Sequence, residues 1–432
     1  MHSGTTQTAT ADTLSHAFEH SITWEDDLWR ADPVDVETVH AKARRKFQDL
    51  LLSVTSPRSA STQARILLFH GQSGAGKTHL LRALRTSAHR QGKAYFGYAQ
   101  MTPDISSYAD YYLRRLVNSL EKPYDPDTAG ETGLARLTRR LVDDSEAVSA
   151  AELARLKDNP MSEDELARLV LAMADEIVAA PKFADQDLDI NIVRALLYLE
   201  RADPRIDQRV RQYLQGRQLN DLSRAAVAAL DPNTGEGRAF EIIESLGRLM
   251  RSADDAALVF CIDQVEDLRF FDDAEDRFQK AVRDLIQIAN RVPSAIVIIS
   301  CLEDFYGQVR GVLAQSYIDR IEKAGPVALL ESRNSEEARL IIAKRLQHEA
   351  ERAGGASFPD PSAFFGPQFF EEFSGLSTRR LLEHAQSRLK TQTDTSEPEP
   401  EEAAAPAPAS GSGGGFMSSL IAALGLGAPA AD

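Results

Sequence analysis

The chain has 432 residues, 43% of them hydrophobic, which is enough to fill the cores of two or three domains. A formal net charge of −16 sets the surface as a whole against phosphate backbones, so a nucleic-acid partner would need a local basic patch. No run reaches the roughly 20 apolar residues of a membrane span, and no basic stretch followed by an apolar one opens the chain, so a cytoplasmic protein with no membrane partner is expected.

Residues 1–34 read as a polar N-terminal arm, with Trp24 and Trp29 as packing anchors. Val36, Val39, Phe47, Leu50 and Leu51 recur at helical spacing and predict an amphipathic helix from Asp35 to about Val54, stopped by the breaker run Ser56-Pro57-Arg58-Ser59. Residues 64–70 (ARILLFH) have the length and apolarity of a buried parallel strand. A glycine-rich turn, a helical run to Gly92 and a second strand, 94–100 (AYFGYAQ), follow. This order predicts a right-handed parallel α/β unit.

From about 105 to 250 the patterns are helical and interrupted by prolines, which predicts a large all-helical insertion over 123–239. Strands return at 257–263 (ALVFCID) and 294–301 (SAIVIISC), around a charged helix at 273–291, and the stretch 325–331 (GPVALLE) reads as an edge strand. The α/β core is therefore expected to consist of 35–122 and 240–332. Cys261 and Cys301 lie inside apolar strands and read as core thiols. Asn334 with Glu337 three residues on predicts a capping box, opening a helix that Gly354-Gly355 would close. With helices at 362–373 and 377–390, this makes a helical lid over 333–390. Residues 391–415 are rich in Pro, Glu, Ala, Ser and Gly and read as a flexible linker. Residues 416–432 form an apolar end peptide, in which Phe416, Met417, Leu420, Ile421 and Leu424 share one helical face.

The chemistry centres on Gly71-Gln72-Ser73-Gly74-Ala75-Gly76-Lys77-Thr78, a full match to G-x-x-x-x-G-K-[ST] between a predicted strand and a predicted helix. Glycines let the backbone curl until successive N–H groups face one phosphate, and the helix N-terminus adds its positive dipole end. Lys77 supplies charge for the β- and γ-phosphates, and the Thr78 hydroxyl is a ligand for Mg²⁺. The loop together with the adjoining His79 is the expected ATP contact. Asp263 ends a strand where ligands of open α/β sheets bind and is the expected second Mg²⁺ ligand. Hydrolysis needs a carboxylate that positions water, and Glu266 takes that role because Gln264 follows the aspartate directly.

The phosphate loop, LVFCIDQVEDL, SAIVIISC, YIDRIEKAGPVALLES and SGLSTRRLLEH together resemble AAA+ ATPases, nearest the initiator-like branch. The resemblance covers about 35–122 and 240–390. It implies that Ser300, beside Cys301, senses the γ-phosphate, that Arg320 reaches a neighbouring subunit's nucleotide, and that Arg379, or Arg380 in its stead, closes over the phosphates from a helix capped by Thr378. Asp-Gln-x-Glu-Asp is similar instead to STAND-type signalling ATPases, which act as slow switches. The insertion resembles those of bacterial defence and DNA-processing ATPases. The function so implied is an oligomer-forming ATPase that passes an ATP-dependent signal to a separate effector docked through 416–428. The alternatives are a DNA-remodelling or loading ATPase, with Arg114-Arg115 and Arg139-Arg140 as candidate contacts, and a nucleotide-gated scaffold without meaningful turnover.

Overall fold

The computed structural model describes residues 17–18 and 25–394, apart from 57–64, 103–104, 126–129, 146–147, 159, 234, 236, 271–272 and 353–359. The end peptide, most of the linker, Trp24 and the Gly354-Gly355 stop lie outside the described residues.

Five parallel strands form one sheet: β1 (Ile66–His70), β2 (Ala94–Gln100), β3 (Ala257–Asp263), β4 (Ala295–Cys301) and β5 (Val327–Ala328), in the order β2-β3-β4-β1-β5. The edge strand expected over 325–331 is reduced to two residues paired with Phe69 and His70. The strands are apolar almost throughout because both faces are covered. One face carries helices α1 (Ala41–Thr55) and α2 (Lys77–Arg90), whose Phe47, Leu51, Leu80 and Leu84 pack on Leu67, Val259 and Ile298. Burying a side chain such as Phe47 or Leu51 contributes about 1.5–3 kcal/mol each.

The helix expected from Asp35 starts at Ala41. His40 takes a left-handed backbone (φ 58°), which ends the turns before it. Val36 and Val39 fit the helical period but pack elsewhere, against Ile342 and Leu382. Trp29 is buried, with the Arg85 guanidinium 6.0 Å from its ring centroid.

The opposite sheet face carries α3 (Tyr108–Leu120), α10 (Arg238–Asp254) and α11 (Ala274–Arg291), with six helices between the first two: α4 (Gly133–Ser145), α5 (Ala150–Asp158), α6 (Glu163–Ala179), α7 (Ile190–Leu199), α8 (Pro204–Leu214) and α9 (Asp221–Ala225). Their starts follow from the local sequence. Ser162 and Glu165 form a reciprocal capping box, Asp189 caps α7, and Asp203 caps α8 with Pro204 in its first turn, where a missing N–H costs nothing. These helices do not build a separate core. Leu156, Ile177 and Leu196 belong to one continuous apolar cluster with Leu258 and Phe260 of the sheet.

The chain leaves the sheet through α12 (Glu303–Arg310) and α13 (Gln315–Ile321), and after β5 forms α14 (Ser335–Arg352), α15 (Pro361–Phe365), α16 (Pro367–Glu372) and α17 (Thr378–Asp394). The Asn334–Glu337 capping box is present in both directions, at 3.2 and 2.8 Å. The helix expected over 362–373 is two helices, because Gly366 (φ 82°) turns the chain before Pro367. The last helix continues four residues into the stretch read as linker. Both cysteines are buried and unpaired. No helix among the described residues is long and apolar enough to cross a membrane.

Candidate functional site

A cleft of about 470 Å³ opens beyond the C-terminal ends of β1 and β3, between the segment before α1 and the helices after β5. One end is lined by the loop that joins β1 to α2. A methyl group on Gly71 would meet the Leu329 carbonyl at 2.6 Å, so only glycine lets the chain following β5 pass beside the loop. Gly76, at φ 90°, turns the loop into α2. The first N–H groups of α2, with the positive end of its dipole, then face the cleft. Lys77 Nζ donates to the Gly71 and Gln72 carbonyls, both at 3.1 Å, so its charge lies folded over the loop.

Thr78 Oγ1 donates to Asp263 Oδ2 at 2.6 Å across 185 residues of sequence. Asp263 is fully buried. Its Oδ1 accepts the Gln264 N–H at 3.0 Å, and Oδ2 also accepts from the Tyr98 hydroxyl at 3.3 Å. Burial, reinforced by the Asp263 charge, pushes the Tyr98 phenol far up, so it serves as a neutral donor. A hydroxyl and a carboxylate oxygen meeting at one point are hard donors of the kind Mg²⁺ takes, and the pair fits that ion chemically.

Glu266 lies in a short 3₁₀ turn, Val265–Phe270, that follows β3. It is 8% exposed, lines the cleft, and its Oε2 accepts the Leu302 N–H at 3.1 Å. Burial raises its carboxyl above the ordinary range, against the pull of Lys77 and the backbone N–H groups. Gln264 also lines the cleft, but its backbone is left-handed (φ 56°) and its side-chain oxygen accepts from the Gln100 amide.

The other end of the cleft is apolar, with Val34, Val36, Val39, Ile341 and Leu382 on its walls. Around it His79 bridges two carboxylates, with Nδ1 3.2 Å from Asp32 Oδ2 and Nε2 3.4 Å from Asp35 Oδ1. These three residues are close enough together to share a metal ion. Asp35, however, is already gripped by two Arg44 nitrogens at 2.9 and 2.6 Å. Burial works against its charge, but the hydrogen bonds from His79 and Arg44 outweigh that and hold its carboxyl well below the usual range.

The structure gathers Ser73, Gly74, Gly76, Lys77, Thr78, His79, Asp263, Glu266 and Arg379 around this one cleft. Arg379 is exposed at the start of α17. Thr378 is not the cap of that helix. Ser377 Oγ accepts the Arg380 N–H at 3.4 Å in the capping manner, while Thr378 Oγ1 accepts from Arg333 at 3.0 Å. Arg320 is exposed on α13, outside the cleft. The acids beside it in sequence have other partners, Glu322 with Arg310 and Tyr306, and Asp319 with Gln315. Ser300 is buried within β4, does not line the cleft, and has no hydrogen-bond partner for its hydroxyl among the described residues. Leu302 is the residue from that strand end that reaches the cleft.

Sequence reasoning missed His40, Arg333, Asp32 and Arg345, all of which line the cleft. None stands in a motif. The left-handed backbone of His40 and the buried setting of Arg333 exist only once distant segments meet.

The family model described as "BREX system ATP-binding protein BrxC/D" matches residues 46–340, more than half of the chain. This chain belongs to the BrxC/BrxD family of BREX-system ATP-binding proteins. The match runs from α1 through the loop between β1 and α2 and the insertion into α14, so it takes in the whole sheet. No curated protein matches the chain. Membership supports an ATP-binding protein linked to BREX defence.

Proposed function

We propose that this BrxC/BrxD-family protein binds ATP with Mg²⁺ in the cleft, hydrolyses it slowly, and uses the nucleotide state to drive association between copies and to signal to a separate effector. The observation that carries the reading is the meeting of Lys77, Thr78, Asp263 and Glu266, from two strand ends, at one opening of the sheet. The loop and Lys77 take the phosphates, Thr78 and Asp263 hold Mg²⁺, and Glu266 orients the attacking water. Mg²⁺ held there by Thr78 and Asp263 would supply positive charge against the phosphates. Slow turnover follows from Gln264, an amide that directly follows Asp263 and is turned onto Gln100, which leaves Glu266 to orient the water alone. The same residue favours the second reading, a nucleotide-gated scaffold without turnover.

Arg320, exposed and away from its own cleft, acts on a neighbour's nucleotide in this scheme. The effector docks on residues 416–428, which lie outside the described residues. A DNA-loading role draws less support, because Arg115, Arg139 and Arg140 are engaged by Glu25, Glu131 and Asp254.

The deciding experiment measures ATP hydrolysis and oligomeric state with and without DNA. ATP-dependent assembly with slow, DNA-independent turnover is expected. Arg320→Ala protomers should bind ATP normally and recover hydrolysis when mixed with protomers that carry Arg320 but lack Lys77. Hydrolysis by a strict monomer would overturn the role in trans.

A further inference from the structure

The carbonyl of Ala75, within the phosphate loop, is held from two sides. His40 Nε2 lies 2.7 Å from it and Arg333 Nη2 donates to it at 2.9 Å. The two side chains come from residues 293 apart in sequence and touch each other at 3.3 Å. Burial and the neighbouring Arg333 charge lower the His40 pKa to about 4, so the imidazole is neutral at ordinary pH. A carbonyl oxygen can only accept, and the Ala75 oxygen is the closer of the two groups facing Nε2, so the proton on His40 belongs on Nε2, where it points at that oxygen, and the approach of Arg333 to the ring is a contact and not a hydrogen bond.

Arg333 is 3% exposed. Its remaining donors go to the Leu330 and Ser332 carbonyls, at 2.7 and 3.1 Å, and to Thr378 Oγ1 at 3.0 Å. With the Ala75 oxygen, these four acceptors are all neutral, and no carboxylate hydrogen-bonds its guanidinium among the described residues. Glu337 and Glu331 lie near enough to favour its charge without hydrogen-bonding it, and a buried cation whose hydrogen bonds all go to neutral groups is costly, which gives this charge a reason to lie beside a loop built for phosphate.

A trans peptide points its C=O and N–H in opposite directions. With the Ala75 carbonyl held toward His40 and Arg333, the Gly76 N–H is aimed the other way, across the loop. Gly76 itself lines the cleft. Gly76 also has φ 90°, which without restraint would let this peptide rotate readily.

We infer that His40 and Arg333 are positioning residues that clamp the Ala75–Gly76 peptide and so preset the loop's N–H groups for the β- and γ-phosphates before nucleotide arrives. Arg333 also ties this clamp to Thr378, which opens α17, one position after Ser377 and one before Arg379. This inference rests on the ATP-site reading above.

The test compares His40→Leu, His40→Gln, Arg333→Met and wild type in the full chain. Both His40 replacements bear the same left-handed backbone cost, but only glutamine can donate to the Ala75 oxygen. In nucleotide-free protein, amide hydrogen exchange over 71–78 should accelerate about tenfold in His40→Leu, as expected for loss of one ordering hydrogen bond, and at least as much in Arg333→Met, which also loses the bonds to Leu330, Ser332 and Thr378, with β1 and β4 unchanged. ATP affinity by calorimetry should fall about five- to tenfold in both, and His40→Gln should stay within about twofold of wild type. Equal loop exchange in His40→Leu and wild type, or unchanged ATP affinity in His40→Leu, overturns the clamp. If Arg333→Met does not fold, the His40 pair decides alone. Undiminished ATP binding by Lys77→Ala would instead overturn the site reading, and the exchange result on the empty protein would still stand for the loop.

Discussion

The two ends of the cleft are built in different ways. At the end lined by the loop between β1 and α2, eight consecutive residues and one strand end supply nearly everything: the glycine turn, Lys77, Thr78, Asp263 and Glu266. At the apolar end, the walls come from Val34, Val36 and Val39 before the sheet and from Ile341, Arg345 and Leu382 beyond it. Arg345 reaches as far as the Ala17 carbonyl, at 3.1 Å. Phosphate is grasped by backbone N–H groups and one cation, which forces a particular sequence on a short loop. An apolar wall can be made by any side chains that pack. The first end should therefore fail at single residues, and the second should lose function in small shares.

Four substitutions probe that difference. The largest effect belongs to Glu266→Gln, which should lower ATP hydrolysis by about 10²- to 10⁴-fold in a steady-state assay while ATP stays bound. The same change should raise Tm. A carboxyl whose folded-state pKa lies above its unfolded value costs stability at pH values above both, and the cost fades as pH falls through that window. The Tm gain should therefore be present at pH 8 and shrink toward pH 4. Unchanged turnover in Glu266→Gln would remove the residue from the water-positioning role.

Lys77→Ala comes next. Losing charge-assisted contacts to phosphate should weaken ATP binding about 10²-fold in calorimetry and leave the fold intact, because the ammonium touches only loop carbonyls. Arg379→Ala tests the other end. Its exposed guanidinium is one of several lining groups, so a loss of about tenfold in ATP affinity is expected. A loss equal to that of Lys77→Ala would mean that the far end is as concentrated as the loop. The smallest effect is that of Gln264→Glu, whose side chain is turned onto Gln100 and away from the water-positioning role. Turnover should stay within about twofold of wild type or rise slightly. A large gain would show that position 264, and not 266, limits the chemistry.

The legibility of the chain followed the same division. Strands were readable because a parallel sheet covered on both faces requires unbroken apolar runs, and ALVFCID and SAIVIISC are such runs. The Asn334–Glu337 box was readable because capping is settled within four residues. The start of α1 was not. Val36 and Val39 keep the helical period, yet they serve the apolar cluster around Ile342 and Leu382, and periodicity does not say which core a side chain enters. The break at Gly366 was missed for a related reason, since its neighbours on both sides are apolar and helical in pattern. The insertion was readable as an all-helical stretch, and its buried leucines and isoleucines continue the sheet's own core, which only the contact between α4, α7 and α10 reveals.

By itself, the sequence determined the glycine-rich turn between β1 and α2, the strand ending in Asp263 and the place of Glu266 just after it, because these depend on backbone geometry confined to a few neighbouring residues. Tertiary structure alone decided that Thr78 and Asp263 meet at 2.6 Å, that Ser300 is sealed inside the sheet while Leu302 reaches the cleft, and that His40 and Arg333 close on the Ala75 carbonyl. Those contacts join segments separated by 35 to 293 residues. No local propensity encodes such a meeting; it appears when the apolar faces of the sheet and of the final helices find the one packing that buries them.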